Sequence, residues 1–336
     1  MEQSTHNITW QSTKEELNVC RAPNGLIDYD RYRRDRLAEI EEYTRIPLVV
    51  CASAFLDAQK VRDCQGQVDI ELTDLQGFAE VTKDLPDGPL DVLLHSPGGS
   101  PEAAESIVQV LRTRFNPIRF IVPITAKSAA TMIAMSGNEI LMPPSAELGP
   151  IDPQFRLSDG AGGIVMVPAQ ALIDQFRQAQ AEISSNPRLA PAWSPVLIRY
   201  GVGLFQMSPD AIQLSKDLVH QWLKSYMFSD RPNPDSDAQR VVDYLADHNR
   251  FRSHGRRVSL TDIQGVGVCA HDIRTHDPIL WQKVENAWYA IQHTFEGTGA
   301  FKLFENSRRK CLVRIIQMVA KQVVKQQPPA GMPANI

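Results

Sequence analysis

Between Ile70 and Phe155 short apolar runs alternate with amphipathic stretches, and no other feature of the chain restricts its fold as much. The helix-like VDIELTDLQGFAEVTKDL precedes the apolar LDVLLHS. A glycine turn follows, and then EAAESIVQVLRTRF, IRFIVPIT, SAATMIAMSG and EILM. Strand, helix and strand at this spacing predict parallel βαβ units, whose strands are covered on both faces and so read as continuous apolar runs. Upstream, a charge-dense helical stretch over residues 26–44 leads into IPLVVCASAF from Ile46. That run is too short to span a bilayer and suits a buried strand. Farther on the texture loosens: segments from Ser158, Ser184 and Ser229, rich in Gly, Pro, Ser and Asp, predict exposed loops between helices. From Cys311, CLVRIIQMVAKQVVK sets Leu312, Ile315, Ile316, Val319 and Val323 at helical spacing among basic residues, ahead of a Pro-rich tail.

Composition removes several function classes. Lys+Arg 35 against Asp+Glu 39 leaves a formal charge of −4, so no nucleic-acid partner is expected. The five cysteines are scattered without a C-x-x-C pair, which predicts free thiols in a reducing compartment. The polar start is not expected to act as a secretory signal. These features predict a cytoplasmic protein without a membrane span. The basic C-terminal stretch is expected to pack on the body or on a neighbouring subunit, with peripheral membrane contact as the minor reading.

Two short motifs carry chemistry. The strand ending in Ser96-Pro97-Gly98-Gly99 opens a helix and leaves backbone N–H groups at a tight turn, where they can hold a developing oxyanion. No G-K-[ST] follows, so the turn is not a phosphate loop. In ITAKSAATMIAMSGNEILM, Ser128 stands where a strand becomes an apolar helix, with small neighbours Ala126, Ala129 and Ala130. A serine there either caps the helix or serves as a nucleophile that a substrate backbone can approach. In the second case Gly98, Gly99 and the Ala129 N–H are candidate oxyanion donors.

The combination of SPGG, the serine turn, NEILM and ELGPIDPQ resembles the Clp protease/crotonase superfamily. Within it the chain is most similar to the serine dehydrogenase proteinase family, related to signal peptide peptidase A. RDRLAEIEEYTRIPLVV, SKDLVHQWL, SHGRRVSLTDIQGVGV and HTFEGTGAFKLFEN extend the likeness over roughly residues 30 to 310. The resemblance implies an α/β fold of repeated ββα units with Ser128 as nucleophile, ahead of Ser96 and Ser136. It also implies a homo-oligomer.

The base is open. Clp proteases place a histidine soon after the serine helix, but no histidine occurs between His95 and His220, and Asp152 before Pro153 reads equally well as a turn residue. The signal-peptide-peptidase branch implies a lysine, and Lys216 is the first one after Ser128. His254, in the Ser253-His254-Gly255 turn, is the alternative. His95 and Lys127 are expected to shape the turn or face outward, and the cluster of His271, Asp272, His276 and Asp277 reads as a solvated loop and not a metal site.

The expected organisation is an N-terminal helical arm (1–44), a catalytic domain (45–275) and a helical C-terminal extension (276–336). The expected activity is hydrolysis of peptide bonds in a peptide or protein substrate, with no cofactor, by a Ser-Lys dyad in preference to Ser-His. The alternatives are an inactive scaffold of the same fold and a crotonase-type acyl-CoA hydratase or isomerase.

Overall fold

The computed structural model describes residues 8–158, 163–200 and 203–316. Its strands are β1 Leu48–Ser53, β2 Gly88–His95, β3 Phe115–Ile121, β4 Thr125–Ala126, β5 Glu139–Met142, β6 Glu147–Leu148, β7 Gln154–Ser158, β8 Ile164–Pro168, β9 Ala270–Asp272, β10 Ala300–Asn306 and β11 Cys311–Ile315. Seven form one sheet in the order β11-β10-β1-β2-β3-β5-β9. From β1 to β9 the neighbours run parallel, while β10 and β11 join antiparallel beyond β1. Two small ladders, β4 with β6 and β7 with β8, stand apart from it.

The period of two along each strand builds two cores at once. Val49, Cys51, Val92 and Leu94 face the layer holding helices Leu75–Thr82, Pro101–Arg112 and Ala129–Met135. Leu48, Val50, Ala52 and Leu93 face the opposite layer, where helices Tyr29–Thr44 and Pro278–Gly297 lie. Because both faces are covered, β1 is buried along its whole length, as its unbroken apolar sequence requires. Asp28 starts the charged Tyr29–Thr44 helix by accepting the Arg31 N–H at 2.9 Å. The α/β class and the alternation from Ile70 onward are therefore as the sequence predicts.

The C-terminal region departs from expectation. It is helical over Pro278–Gly297, but β10 and β11 then enter the main sheet, so no boundary at residue 275 divides it. Cys311–Ile315, expected to be helical, is an edge strand: Leu312 packs on one face and Val313 on the other. A short apolar run suits either period, and the open hydrogen-bonding edge of β10 decides it. The basic residues here are already paired, Arg308 with Glu41, Arg309 with Asp35 and Lys310 with Asp84. The remainder of the expected amphipathic helix, and the Pro-rich tail, lie outside the described residues.

Two expected loops are also partly helical. Ala190–Ile198 is a helix despite its prolines, with Pro191 in the first turn, where an N–H has no helical partner to lose. Pro234 likewise opens the helix Pro234–Leu245. Among the described residues, no helix is long and apolar enough to cross a membrane.

Candidate active site

The glycine turn leaves the buried end of β2 and is held from two sides. On one side Ile70 donates to Gly98 O at 2.6 Å and accepts from the Ser100 N–H at 2.9 Å. On the other, Ser96 donates to Thr125 O at 3.2 Å and accepts from the Lys127 N–H at 3.0 Å. Since Ile70 bonds the residues flanking Gly99, the Gly99 N–H points the opposite way, and no acceptor is recorded for it among the described residues. The Gly98 N–H is taken by Ser96 Oγ at 3.2 Å. Of the two glycines, then, Gly99 is the free donor.

Both positions require glycine. Gly98 has φ +98°, and a Cβ there would lie 2.6 Å from Ser128 Cβ and 3.0 Å from the Ala129 nitrogen. The bare backbone of the turn therefore lies directly against Ser128. Gly99 has φ +153°, with a Cβ position 2.2 Å from Ile70 O. Gly88 also has positive φ, but its Cβ would meet nothing within 4 Å. Gly99→Ala is accordingly expected to destabilise by at least about 2 kcal/mol through backbone overlap, and Gly88→Ala by only about 1 kcal/mol of conformational strain. Urea unfolding midpoints of the two variants check this difference.

Ser128 is half-buried and precedes the helix Ala129–Met135, yet its side chain makes no capping hydrogen bond. The backbone explains this. At φ 51° and ψ −121° the residue occupies a sparsely populated region for any residue with a Cβ, a conformation costing on the order of 1–3 kcal/mol. Such a sharp strand-to-helix turn presents the hydroxyl outward and keeps it off the helix N–H groups. The rival serines are engaged: Ser136 Oγ donates to Ile133 O at 2.6 Å, and Ser96 Oγ accepts within its own turn.

Ser128, Gly98, Gly99 and His254 line one cavity of about 310 Å³, whose wall also includes Met132, Ile151 and Ser215. His254 is held from behind by Asp152, its Nδ1 lying 2.8 Å from Asp152 Oδ1. A carboxylate can only accept, so the proton of this bond sits on Nδ1, and in the neutral ring Nε2 then carries the lone pair. The other carboxylate oxygen takes His248 Nδ1 at 3.1 Å, and Asp152 itself is buried.

Local structure brings these groups together from distant sequence. Thr131, one turn into the serine helix, donates to Ala126 O at 2.7 Å and accepts from the Gly149 N–H at 3.0 Å, tying the GPIDP segment to that helix. The His254 loop is fixed where Val258 pairs with Leu148 in both directions, at 2.9 and 3.0 Å. Lys127 lies inward, not outward: its Nζ bonds Glu147 at 2.8 Å and Leu148 O at 3.1 Å, and reaches Gly255 O at 3.5 Å.

Lys216 is not among the residues lining the Ser128 cavity. It borders a separate one with Asp243, Asp247 and His248. Its neighbour Ser215 reaches the first cavity instead, buried and with an unpartnered hydroxyl. One residue along a helix turns the side chain by about 100°, which is why the two adjacent positions serve different cavities. His95 is buried between Phe55 and Trp288, and burial pushes its imidazole down to about 3, so it is a neutral core group. Sequence reasoning missed His248 and Ser215 and left Asp152 as a turn residue. The only sequence signal for His248 is its place six residues before His254.

The parallel sheet, glycine turn and strained serine define a ClpP-like α/β protein. Within that class, the model of the ClpP-like SDH-type serine proteinase family matches residues 75–183, the stretch running from the helix before β2 through the serine turn and GPIDP. The match agrees with the family likeness read from the motifs over that stretch. Two uncharacterized proteins of Methanocaldococcus jannaschii are similar to it. One is 43% identical over 31% of this chain and 33% of its own length, the other 27% identical over 41% and 39%. The chain thus spans little more than a third of these curated relatives. Among solved structures, ClpP1 from Listeria monocytogenes is 10% identical with a TM-score of 0.37, covering 72% of this chain and 97% of that one. A variant of the 1510-N membrane-bound stomatin-specific protease in complex with a substrate peptide is 27% identical with a TM-score of 0.24, covering 32% and 51%.

Proposed function

We propose that this protein is a serine peptidase in which Ser128 attacks the scissile carbonyl. His254 takes the serine proton on Nε2, and Asp152 holds the imidazole through Nδ1. The carrying observation is a serine hydroxyl freed from capping by its backbone, in one cavity with an aspartate-held histidine. The attack forms an acyl-enzyme and expels the amine, which receives the proton from His254; water then enters by the reverse of these steps. The Gly99 and Ala129 N–H groups are the oxyanion donors in this reading, since neither has an acceptor among the described residues and the Gly98 N–H is already used.

The order Ser128, Asp152, His254 along the chain differs from the Clp order considered above, and this is no obstacle, because a triad depends on geometry and not on sequence order. The position of Lys216 favours His254 as base. A homo-oligomer acting on peptide or protein substrates in the cytoplasm remains part of the proposal. No cofactor enters it. A fluorophosphonate probe tests the reading directly: it is expected to label the wild-type chain at Ser128, and Ser128→Ala is expected to abolish labelling with circular dichroism unchanged. Labelling elsewhere, or none of a folded protein, overturns it.

A further inference from the structure

In the cluster His271, Asp272, His276 and Asp277, conspicuous in the sequence, the two histidine rings stack with centroids 4.6 Å apart, while the two aspartates are engaged elsewhere. Asp272 caps the short helix after β9 and pairs with Arg274, and Asp277 caps the Pro278–Gly297 helix. The His271 Nε2 meets two further side chains. It lies 3.6 Å from Cys269 Sγ and 3.8 Å from Glu139 Oε2, and one ligand atom from each of the three residues falls within 4.8 Å of the others. The sheet produces this grouping. Ile140 pairs with Ala270 and Leu141 with His271, and the Ile140 N–H donates to Cys269 O at 2.9 Å. Paired residues of parallel strands share a face, and so do alternate residues of one strand, so Glu139, Cys269 and His271 project from the same face.

We propose that Cys269, His271 and Glu139 bind one zinc ion, which staples the edge strand β9 to β5. A tetrahedral ion with Zn–S of about 2.3 Å and Zn–N of about 2.0–2.1 Å holds its sulfur and nitrogen about 3.5 Å apart, close to the separation observed here. One thiolate, one imidazole and one carboxylate form a mixed set that suits zinc and not calcium or magnesium. Binding displaces the thiol proton to solvent and involves no change of oxidation state. The fourth position is left for water, reached past the partly exposed His271 or through the adjoining cavity that Glu139 and Cys269 help line. Glu139 opens β5, whereas the glycine turn closes the parallel strand β2, so the zinc lies at the other end of the sheet from Ser128.

The test uses the full chain, reduced and stripped with chelator, then titrated with Co²⁺ and back-titrated with Zn²⁺. One cobalt per chain is expected, with thiolate-to-cobalt absorption in the near ultraviolet that zinc displaces. Cys269→Ser is expected to lose that absorption and Cys311→Ser to keep it. His271→Gln and Glu139→Gln are each expected to weaken zinc binding at least about tenfold. Absence of the band in the wild type, or its survival in Cys269→Ser, overturns the proposal. Should Cys269→Ser fail to fold, X-ray absorption on the zinc-loaded wild type decides. One sulfur at about 2.3 Å with lighter ligands at about 2.0–2.2 Å supports the site, and a shell without sulfur refutes it.

Discussion

His254→Ala is expected to slow both fluorophosphonate labelling and peptide hydrolysis by roughly four to six orders of magnitude, while Lys216→Met changes either by less than about threefold. The reason lies in the placement of the two side chains. An alcohol attacks only when a base removes its proton, and that base must come within hydrogen-bond reach. His254 borders the cavity that holds Ser128 and presents Nε2 as its free nitrogen, because Asp152 occupies Nδ1. Lys216 borders a different cavity, against Asp243 and Asp247. The pair of variants separates the two mechanisms cleanly: a dead Lys216→Met with an active His254→Ala reverses the assignment and restores the Ser-Lys dyad. Circular dichroism of both variants guards against loss of fold as the cause.

Asp152→Asn is expected to lower turnover by about 10⁴-fold with little change in stability. Asp152 now accepts from two imidazoles, His254 Nδ1 at 2.8 Å and His248 Nδ1 at 3.1 Å. An asparagine keeps the shape but offers one carbonyl oxygen and one NH₂, so it can accept from only one of them. Where its NH₂ faces His254, that ring must present Nδ1 as an acceptor and carry its proton on Nε2, the wrong tautomer for a base. Nitrogen chemical shifts of the His254 ring read this exchange directly. His248→Gln leaves the His254–Asp152 bond in place and is expected to cost about tenfold or less. If Asp152→Asn keeps wild-type turnover, Asp152 serves the turn alone and His254 needs no orienting partner.

Much of this architecture is written locally. The strands of Ile46–Phe155 are legible because both sheet faces are covered, which demands continuous apolar runs, and the turns between them need residues that tolerate positive φ. The glycine turn and Ser128 are legible for the same reason: each takes its conformation from its own backbone and immediate neighbours. Edge strand β11 was not legible, since CLVRI fits a helix or a strand and only the open edge of β10 selects between them.

The α/β class, the glycine turn and the serine that stands against it can be read along the chain. The remaining partners meet only once the fold closes. Asp152 meets His254 across 102 residues, and Glu139 meets Cys269 and His271 across a strand pair, through contacts that no local pattern encodes. Lys216 and Ser215 are adjacent in the chain yet serve different cavities, because helix phase and packing set the direction of a side chain. Backbone conformation answers to neighbouring residues, whereas the meeting of side chains answers to the way the layers close over the sheet.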